Sequence, residues 1–292
     1  MGEFPLGDIE IQQFWTDGFV CLENAISKEQ LGGVRDDVDA WLEESKSHTE
    51  PYGEILDGRA RFDLQPGHSA ESPALRRVTS PVEVSNACLD IMRTASVVDA
   101  VAQLIGPNVE FNNCKINAKQ PDSGTKVDFH QDFLYQPHSN DDIITVLINI
   151  DDVTLDNGPL QIIPGSHRGP IFEHWQDGVF TGAISGEEME EYCTEPALIT
   201  GPAGSACLMH TRTLHGSGPN LSSSPRTLFI LEYRSEDSKP LDRNHIPSRM
   251  SGELVRGVAT SRVRCSEYAM TFPEYPTTAS FFDQQAKAST GI

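Results

Sequence analysis

Apolar positions recur at helical spacing in two stretches of the first hundred residues, then give way to short alternating or continuous apolar runs. The first stretch follows Ser27-Lys28-Glu29-Gln30, a capping box in which Ser27 and Gln30 satisfy exposed amides. Leu31, Val34, Val38, Trp41 and Leu42 then share one side of a helix and Arg35, Asp36, Asp37 and Asp39 the other, so this helix lies on a core. Upstream, Phe14, Trp15, Phe19 and Val20 form an apolar cluster. Between Pro81 and Ile105, the spacing of Leu89 and Met92 and then of Val97, Val98, Val101, Leu104 and Ile105 predicts one broken helix or two. Ser96 and Asp99 supply a capping signal there, and Gly106-Pro107 the stop. Residues 48–80 are polar and rich in Gly and Pro, without a sustained period, and read as a long excursion outside the scaffold.

Beyond Pro107 the text changes to β-prone runs, Val109–Lys119, Ile143–Ile150, Leu160–Ile163, Ser205–Met209 and Thr227–Tyr233, separated by Gly, Pro, Asn and Asp clusters. Helices followed by many strands predict a mainly β fold, a sandwich or barrel with N-terminal helices packed outside. Gly186–Tyr192 reads as a short helix in an insertion, and Phe272, Phe281 and Phe282 as anchors that tuck a C-terminal segment onto the body. With no repeat, low-complexity tract or linker, the expectation is a single domain over 1–292: a helical part at about 8–106, a barrel at about 107–235 and an extension at about 236–292.

Charge narrows the function classes. Forty-three acidic against twenty-two basic residues give a net charge of −21, which repels phosphate backbones and anionic lipid, and no basic stripe offsets it. Neither a nucleic-acid nor a membrane partner is expected. No run approaches the roughly 18 apolar residues of a bilayer span, and the start lacks signal-peptide features, so the expected location is the cytoplasm. The cysteines at 21, 88, 114, 193, 207 and 265 are scattered singly and read as reduced thiols, with Cys114 and Cys207 in strand-like runs.

The segment Val127-Asp128-Phe129-His130-Gln131-Asp132-Phe133 carries the chemistry. In an extended strand, residues two apart point to one face, so His130 and Asp132 can offer an imidazole nitrogen and a carboxylate oxygen to one metal ion. Gln131, between them, points away. A third ligand comes from far along the chain, and spacing leaves His210 and His215 both open. Arg226 heads the last strong strand, where its fork can bind a carboxylate. Lys115, Asn117 and Lys119 share one strand face by period two; if it looks inward, Asn117 and Lys119 reach a cofactor or substrate. Phe133 and Tyr135 are candidates for the substrate pocket, while Asp156-Asn157-Gly158 and Pro164-Gly165-Ser166-His167 read as turns.

Taken in order, Phe14…Asp17-Gly18-Phe19, Lys119-Gln120-Pro121, His130-Gln131-Asp132, Asp156-Asn157-Gly158-Pro159-Leu160, Pro164-Gly165-Ser166-His167, and Leu214-His215-Gly216-Ser217-Gly218-Pro219-Asn220 followed by Arg226 resemble the phytanoyl-CoA dioxygenase family. The resemblance runs from about residue 10 to 235. It implies a double-stranded β-helix (jelly-roll, cupin-like) and dependence on Fe(II), 2-oxoglutarate and O₂. It further implies His130, Asp132 and His215 as iron ligands, Arg226 as the grip on the far carboxylate of 2-oxoglutarate, and His210 as no ligand.

Two histidines and one carboxylate leave adjacent coordination positions open for a keto acid and oxygen. The reaction so implied releases succinate and CO₂ and hydroxylates a small molecule; desaturation and cyclisation stay open. Asp132 argues against halogenation, which requires that position vacant for chloride. The acidic composition and the lack of a basic patch for coenzyme A favour a small cationic or zwitterionic metabolite, and a homo-oligomer stays open. Rival readings are a cupin-like metal-binding protein and a metal-dependent isomerase or hydrolase using Zn²⁺ or Mn²⁺; neither needs Arg226.

Overall fold

Residues 5–121, 124–278 and 285 are described by the structure, a computed structural model. Among these residues the helices are α1 (Asp8–Asp17), α2 (Lys28–Ser45), α3 (Asn86–Thr94), α4 (Ser96–Ile105) and α5 (Gly186–Tyr192). The strands are β1 (Phe19–Leu22), β2 (Tyr52–Glu54), β3 (Ala60–Leu64), β4 (Leu75–Thr79), β5 (Val109–Lys119), β6 (Val127–His130), β7 (Ile143–Asn149), β8 (Leu160–Ile162), β9 (Trp175–Gln176), β10 (Val179–Phe180), β11 (Ala197–Ile199), β12 (Ala206–His210), β13 (His215–Ser217), β14 (Arg226–Ser235) and β15 (Leu254–Arg256).

The larger sheet runs β1-β12-β7-β14-β5-β4-β3-β2, with β15 on the far part of β5; the smaller runs β11-β8-β13-β6. Leu147, Leu228 and Ile230 of the larger sheet pack with Leu160 and Ile162 of the smaller. On the other face of the larger sheet, Val146, Ile148, Phe229, Leu231 and Tyr233 pack with Ile91, Met92, Val97 and Val101 of α3 and α4. The central strands β7 and β14 are therefore covered on both faces, which is why they read as nearly continuous apolar runs. The result is a jelly-roll of two facing sheets, not closed into a continuous barrel, with helices outside. None of the described helices is long and apolar enough to cross a membrane.

The Ser27 capping box forms as its spacing requires, with Ser27 Oγ accepting from the Gln30 amide and Gln30 Oε1 from the Ser27 amide. Other expectations need correction. Residues 48–80 are not an excursion: they supply β2, β3 and β4, which extend the larger sheet beyond β5. Their alternation is hidden because the inward positions are charged, Asp63 and Arg77 being register partners, while Phe62 and Val78 face the helix-side core. The cap of α4 is Ala95, without a side-chain bond; Ser96 Oγ donates to the Ala25 carbonyl, and it is Ser85 that caps α3. Trp15 is 40% exposed although Phe14 is buried, and the Phe272 side chain is 52% exposed, its carbonyl accepting from the Trp175 indole at 3.1 Å. Phe281 and Phe282 lie outside the described residues. The C-terminal segment is also held by Tyr275, whose ring lies under Arg243 and Arg59 and whose hydroxyl donates to Asp57. The six cysteines are free, with Cys88, Cys114 and Cys207 buried.

Candidate active site

β6 and β13 are neighbours in the smaller sheet, and their register sets His130 directly opposite His215. Gln131 keeps extended backbone angles after β6, so Asp132 returns to the face of His130 before the chain tightens into a 3₁₀ turn at Asp132–Tyr135. The three side chains are buried, and one ligand atom from each lies within 4.8 Å of the others. Asp132 Oδ1 stands 3.5 Å from His130 Nε2 and 3.7 Å from His215 Nε2.

Neighbouring groups orient all three. His130 Nδ1 lies 2.8 Å from the Asp128 carbonyl and His215 Nδ1 2.9 Å from the Thr213 carbonyl. Because a carbonyl only accepts, each Nδ1 carries the proton and each Nε2 presents its lone pair inward. Thr145 on β7 donates to Asp132 Oδ2 at 2.7 Å, leaving Oδ1 toward the histidines. Burial pushes the His215 imidazole down to about 4, with His130 adding to the effect, so it is neutral at pH 7 as a ligand must be. Burial alone would raise the Asp132 carboxyl; His215, His130 and Lys115 outweigh it and hold Asp132 well below the ordinary carboxylate range. Two imidazoles and a carboxylate with oriented donor atoms fit an Fe(II) ion with open positions.

One cavity reaches the triad between the sheets, lined by Lys115, Asn117, Lys119 and Arg226 among others. Arg226 pairs with Lys119 in register, is buried, and donates to the Gly158 carbonyl, while its Nε has no partner among the described residues. Burial lowers its guanidinium to about 10, against the pull of Asp151. Lys119 donates to Ser217 Oγ at 2.8 Å and to the Gly218 carbonyl; burial, then Arg226, push its ammonium down to about 6. The Asn117 amide oxygen is buried and unpartnered. A buried guanidinium beside an amine that can take up a proton, in a cavity that reaches the triad, fits a dicarboxylate such as 2-oxoglutarate.

A second cavity shares Lys115, His130 and Asp132 with the first but is otherwise lined by other residues, including Arg59, Arg77, Tyr135 and His245. Tyr135 lines this cavity, its ring 5.7 Å from His130 and its hydroxyl donating to the Gly182 carbonyl. Phe133 lines neither of these two cavities; it lies in the 3₁₀ turn with its ring 5.1 Å from Tyr268. Gln131 is a buried strut between the Pro170 and Arg212 carbonyls and the Phe172 amide. His210 packs among Phe14, Trp15 and His167, away from the triad. Sequence reasoning missed Thr145, Arg77 and His245. Only Thr145, a polar residue inside the apolar run of β7, left a readable signal.

The family described as phytanoyl-CoA dioxygenase (PhyH) matches residues 14–228. A probable alpha-ketoglutarate-dependent hypophosphite dioxygenase of Stutzerimonas stutzeri is 33% identical over 270 residues, covering 91% of each chain. An L-proline trans-4-hydroxylase of Streptomyces griseoviridis is 26% identical over 258 residues, covering 81% of this chain and 89% of its own. Among solved structures, apo EctD from S. alaskensis shares the fold with a TM-score of 0.69 at 19% identity, covering 89% of this chain and 90% of its own. This chain belongs to the phytanoyl-CoA dioxygenase family and is a non-haem Fe(II)- and 2-oxoglutarate-dependent dioxygenase.

Proposed function

We propose that His130, Asp132 and His215 hold the Fe(II), that Arg226 with Lys119 and Asn117 holds the far end of 2-oxoglutarate, and that the reaction hydroxylates a small molecule at the second cavity. The buried triad, with both Nδ1–H groups tied to carbonyls and Asp132 tied to Thr145, carries this reading. When bound, Fe(II) couples the reduction of O₂ to the oxidative decarboxylation of 2-oxoglutarate and the hydroxylation of the substrate.

The chain's own residues prepare that chemistry. The Nδ1 contacts fix both imidazole rings so that each presents Nε2 without reorganisation, and Thr145 keeps the carboxylate from rotating. Arg226 offers a planar fork to a carboxylate at a buried position where water does not compete. Tyr135, held by the Gly182 carbonyl, walls the substrate side. An enzyme drawing on 2-oxoglutarate belongs, on this reading, in the cytoplasm.

The test is an anaerobic titration of 2-oxoglutarate into Fe(II)-loaded protein, watching for the visible metal-to-ligand charge-transfer band. Wild type should develop the band, His215→Ala should lose it, and Arg226→Ala should require far more 2-oxoglutarate. A wild type that binds iron but shows no band would overturn the assignment. Hypophosphite, from the name of the Stutzerimonas stutzeri relative, is the first compound to assay for succinate release.

A further inference from the structure

In a protein of net charge −21, the second cavity is lined by Arg59, Arg77 and Lys115 against the single carboxylate of Asp132. Arg77 on β4 stands opposite Asn117 on β5, and Thr79 opposite Lys115, so Arg77 and Lys115 share the inner face of the larger sheet. Arg77 is buried, and its Nε has no hydrogen-bond partner among the described residues. His245 Nδ1, lining the same space, is likewise buried and unpartnered.

Asp63 acts on Arg77, and Asp132 and Glu232 on Lys115, only through space; the hydrogen bonds of these acids go to other groups. The Asp63 oxygens both accept from Arg76, at 2.7 and 3.2 Å. Glu232 accepts from the amides of Asn112 and Asn113, and Asp57 pairs with Arg59. Asp132 is committed to Thr145 and the histidines. Burying cationic groups with idle donors is costly unless an anion completes the site.

We propose that the substrate is a compact oxyanion, held by Arg77, Lys115 and the His245 imidazole, which directs its X–H bond, with X phosphorus or an adjacent carbon, at the metal site. This inference rests on the function proposed above and names the substrate class of that same site. It also reverses the cationic or zwitterionic metabolite expected from composition, because overall charge describes the surface and not the cavity. Compactness follows from enclosure: the space holds about 460 Å³, mouth included, against about 630 Å³ for the first cavity, and Pro276 of the C-terminal segment contributes to its wall. In the reaction the X–H bond becomes X–OH. One atom of O₂ enters there and the other enters succinate, 2-oxoglutarate loses its C1 as CO₂, and each organic or phosphorus partner gives up two electrons to O₂.

The experiment measures succinate release and charge-transfer band perturbation in Fe(II)-loaded, full-length protein. One arm offers hypophosphite (P–H), a second methylphosphonate (C–H), and a third L-proline and ectoine. Succinate release stimulated by an oxyanion and not by the third arm supports the proposal, and the first two arms tell which bond is oxidised. Arg77→Gln should raise the KM for that oxyanion about 10- to 100-fold while leaving the KM for 2-oxoglutarate near wild type, and Arg77→Lys should recover part of the loss. A rise in the 2-oxoglutarate KM instead would overturn the proposal. Should Arg77→Gln fail to fold, His245→Phe and the wild-type panel decide. A band that forms normally, with no oxyanion perturbing it or raising succinate, sinks the oxyanion and spares the dioxygenase assignment; no band at all sinks the residue roles themselves.

Discussion

Replacing Thr145 with Val removes one interaction and almost nothing else. The side chains are isosteric, Thr145 is buried at 2% exposure, and β7 is held on both sides by β12 and β14, so no cavity opens and the register stays. What disappears is a 2.7 Å hydrogen bond to an ionised, buried carboxylate, a class that contributes about 1.5–3 kcal/mol. Part of that loss falls on the metal-free fold, because Asp132 Oδ2 is left without its donor. The larger part falls on the metal, since a carboxylate free to rotate no longer presents Oδ1 between His130 and His215. The expected result is Fe(II) binding weakened about 10- to 100-fold, measured anaerobically against a chromophoric chelator. Far-UV circular dichroism should be unchanged, and Thr145→Ser should restore most of the affinity. If Thr145→Val binds Fe(II) within about twofold of wild type and keeps its succinate yield, the idea that this hydroxyl aims the carboxylate is wrong.

Three further perturbations separate the parts of the site. Arg226→Met should raise the 2-oxoglutarate KM by roughly 10- to 100-fold with Fe(II) affinity unchanged; an equal loss in both would mean that the side chain supports the fold and not the cosubstrate. Lys119, held near 6 when free, regains its proton when a dianion binds beside it, so binding takes up a proton. Affinity for 2-oxoglutarate should therefore fall as pH rises from about 6 toward the bound-state value, by up to about tenfold per unit, and Lys119→Met should flatten that slope in isothermal titration. Gly158 has φ +78°, and a Cβ there would stand 2.7 Å from the Gly218 carbonyl oxygen. Gly158→Ala should cost about 1–3 kcal/mol, read as a lowered Tm, and should weaken 2-oxoglutarate binding because the Gly158 carbonyl accepts from Arg226.

Legibility followed the kind of signal each residue leaves. The strands buried on both faces announced themselves as apolar runs, and the Ser27 capping box fixed the start of α2. His130 and Asp132 were readable from period two because Gln131 stays extended, whereas the 3₁₀ turn from Asp132 to Tyr135 ends the alternation, so strand spacing does not place Phe133 and Tyr135. The choice between His210 and His215 needed family resemblance, since both end up buried and only the register of β13 against β6 separates them. β3 and β4 were hidden because the usual alternation fails there. Their inward positions carry Asp63 and Arg77 where a scaffold strand would carry apolar side chains, and the segment that looked least like a core supplies Ala60, Arg77 and Thr79 to the wall of the second cavity.

The inner face of β5 ties these observations together. Lys115, Asn117 and Lys119 stand at alternate positions, opposite Ile230, Leu228 and Arg226 of β14. Two antiparallel residues advance about 6.8 Å, so the lysines bracket roughly 14 Å of one strand. Lys119 lies at the end shared with Arg226, whereas Lys115 lines both cavities beside the triad. On the other face of the same strand, Cys114 and Ile116 are buried in the helix-side core. A slip of one residue would exchange the two sets, driving lysines into that core and apolar groups into the site. Packing of α3 and α4 against the larger sheet thus enforces the register that delivers the cations. Core substitutions that loosen that face should therefore disturb 2-oxoglutarate and substrate binding together, and Fe(II) binding less, because His130 and His215 belong to the smaller sheet.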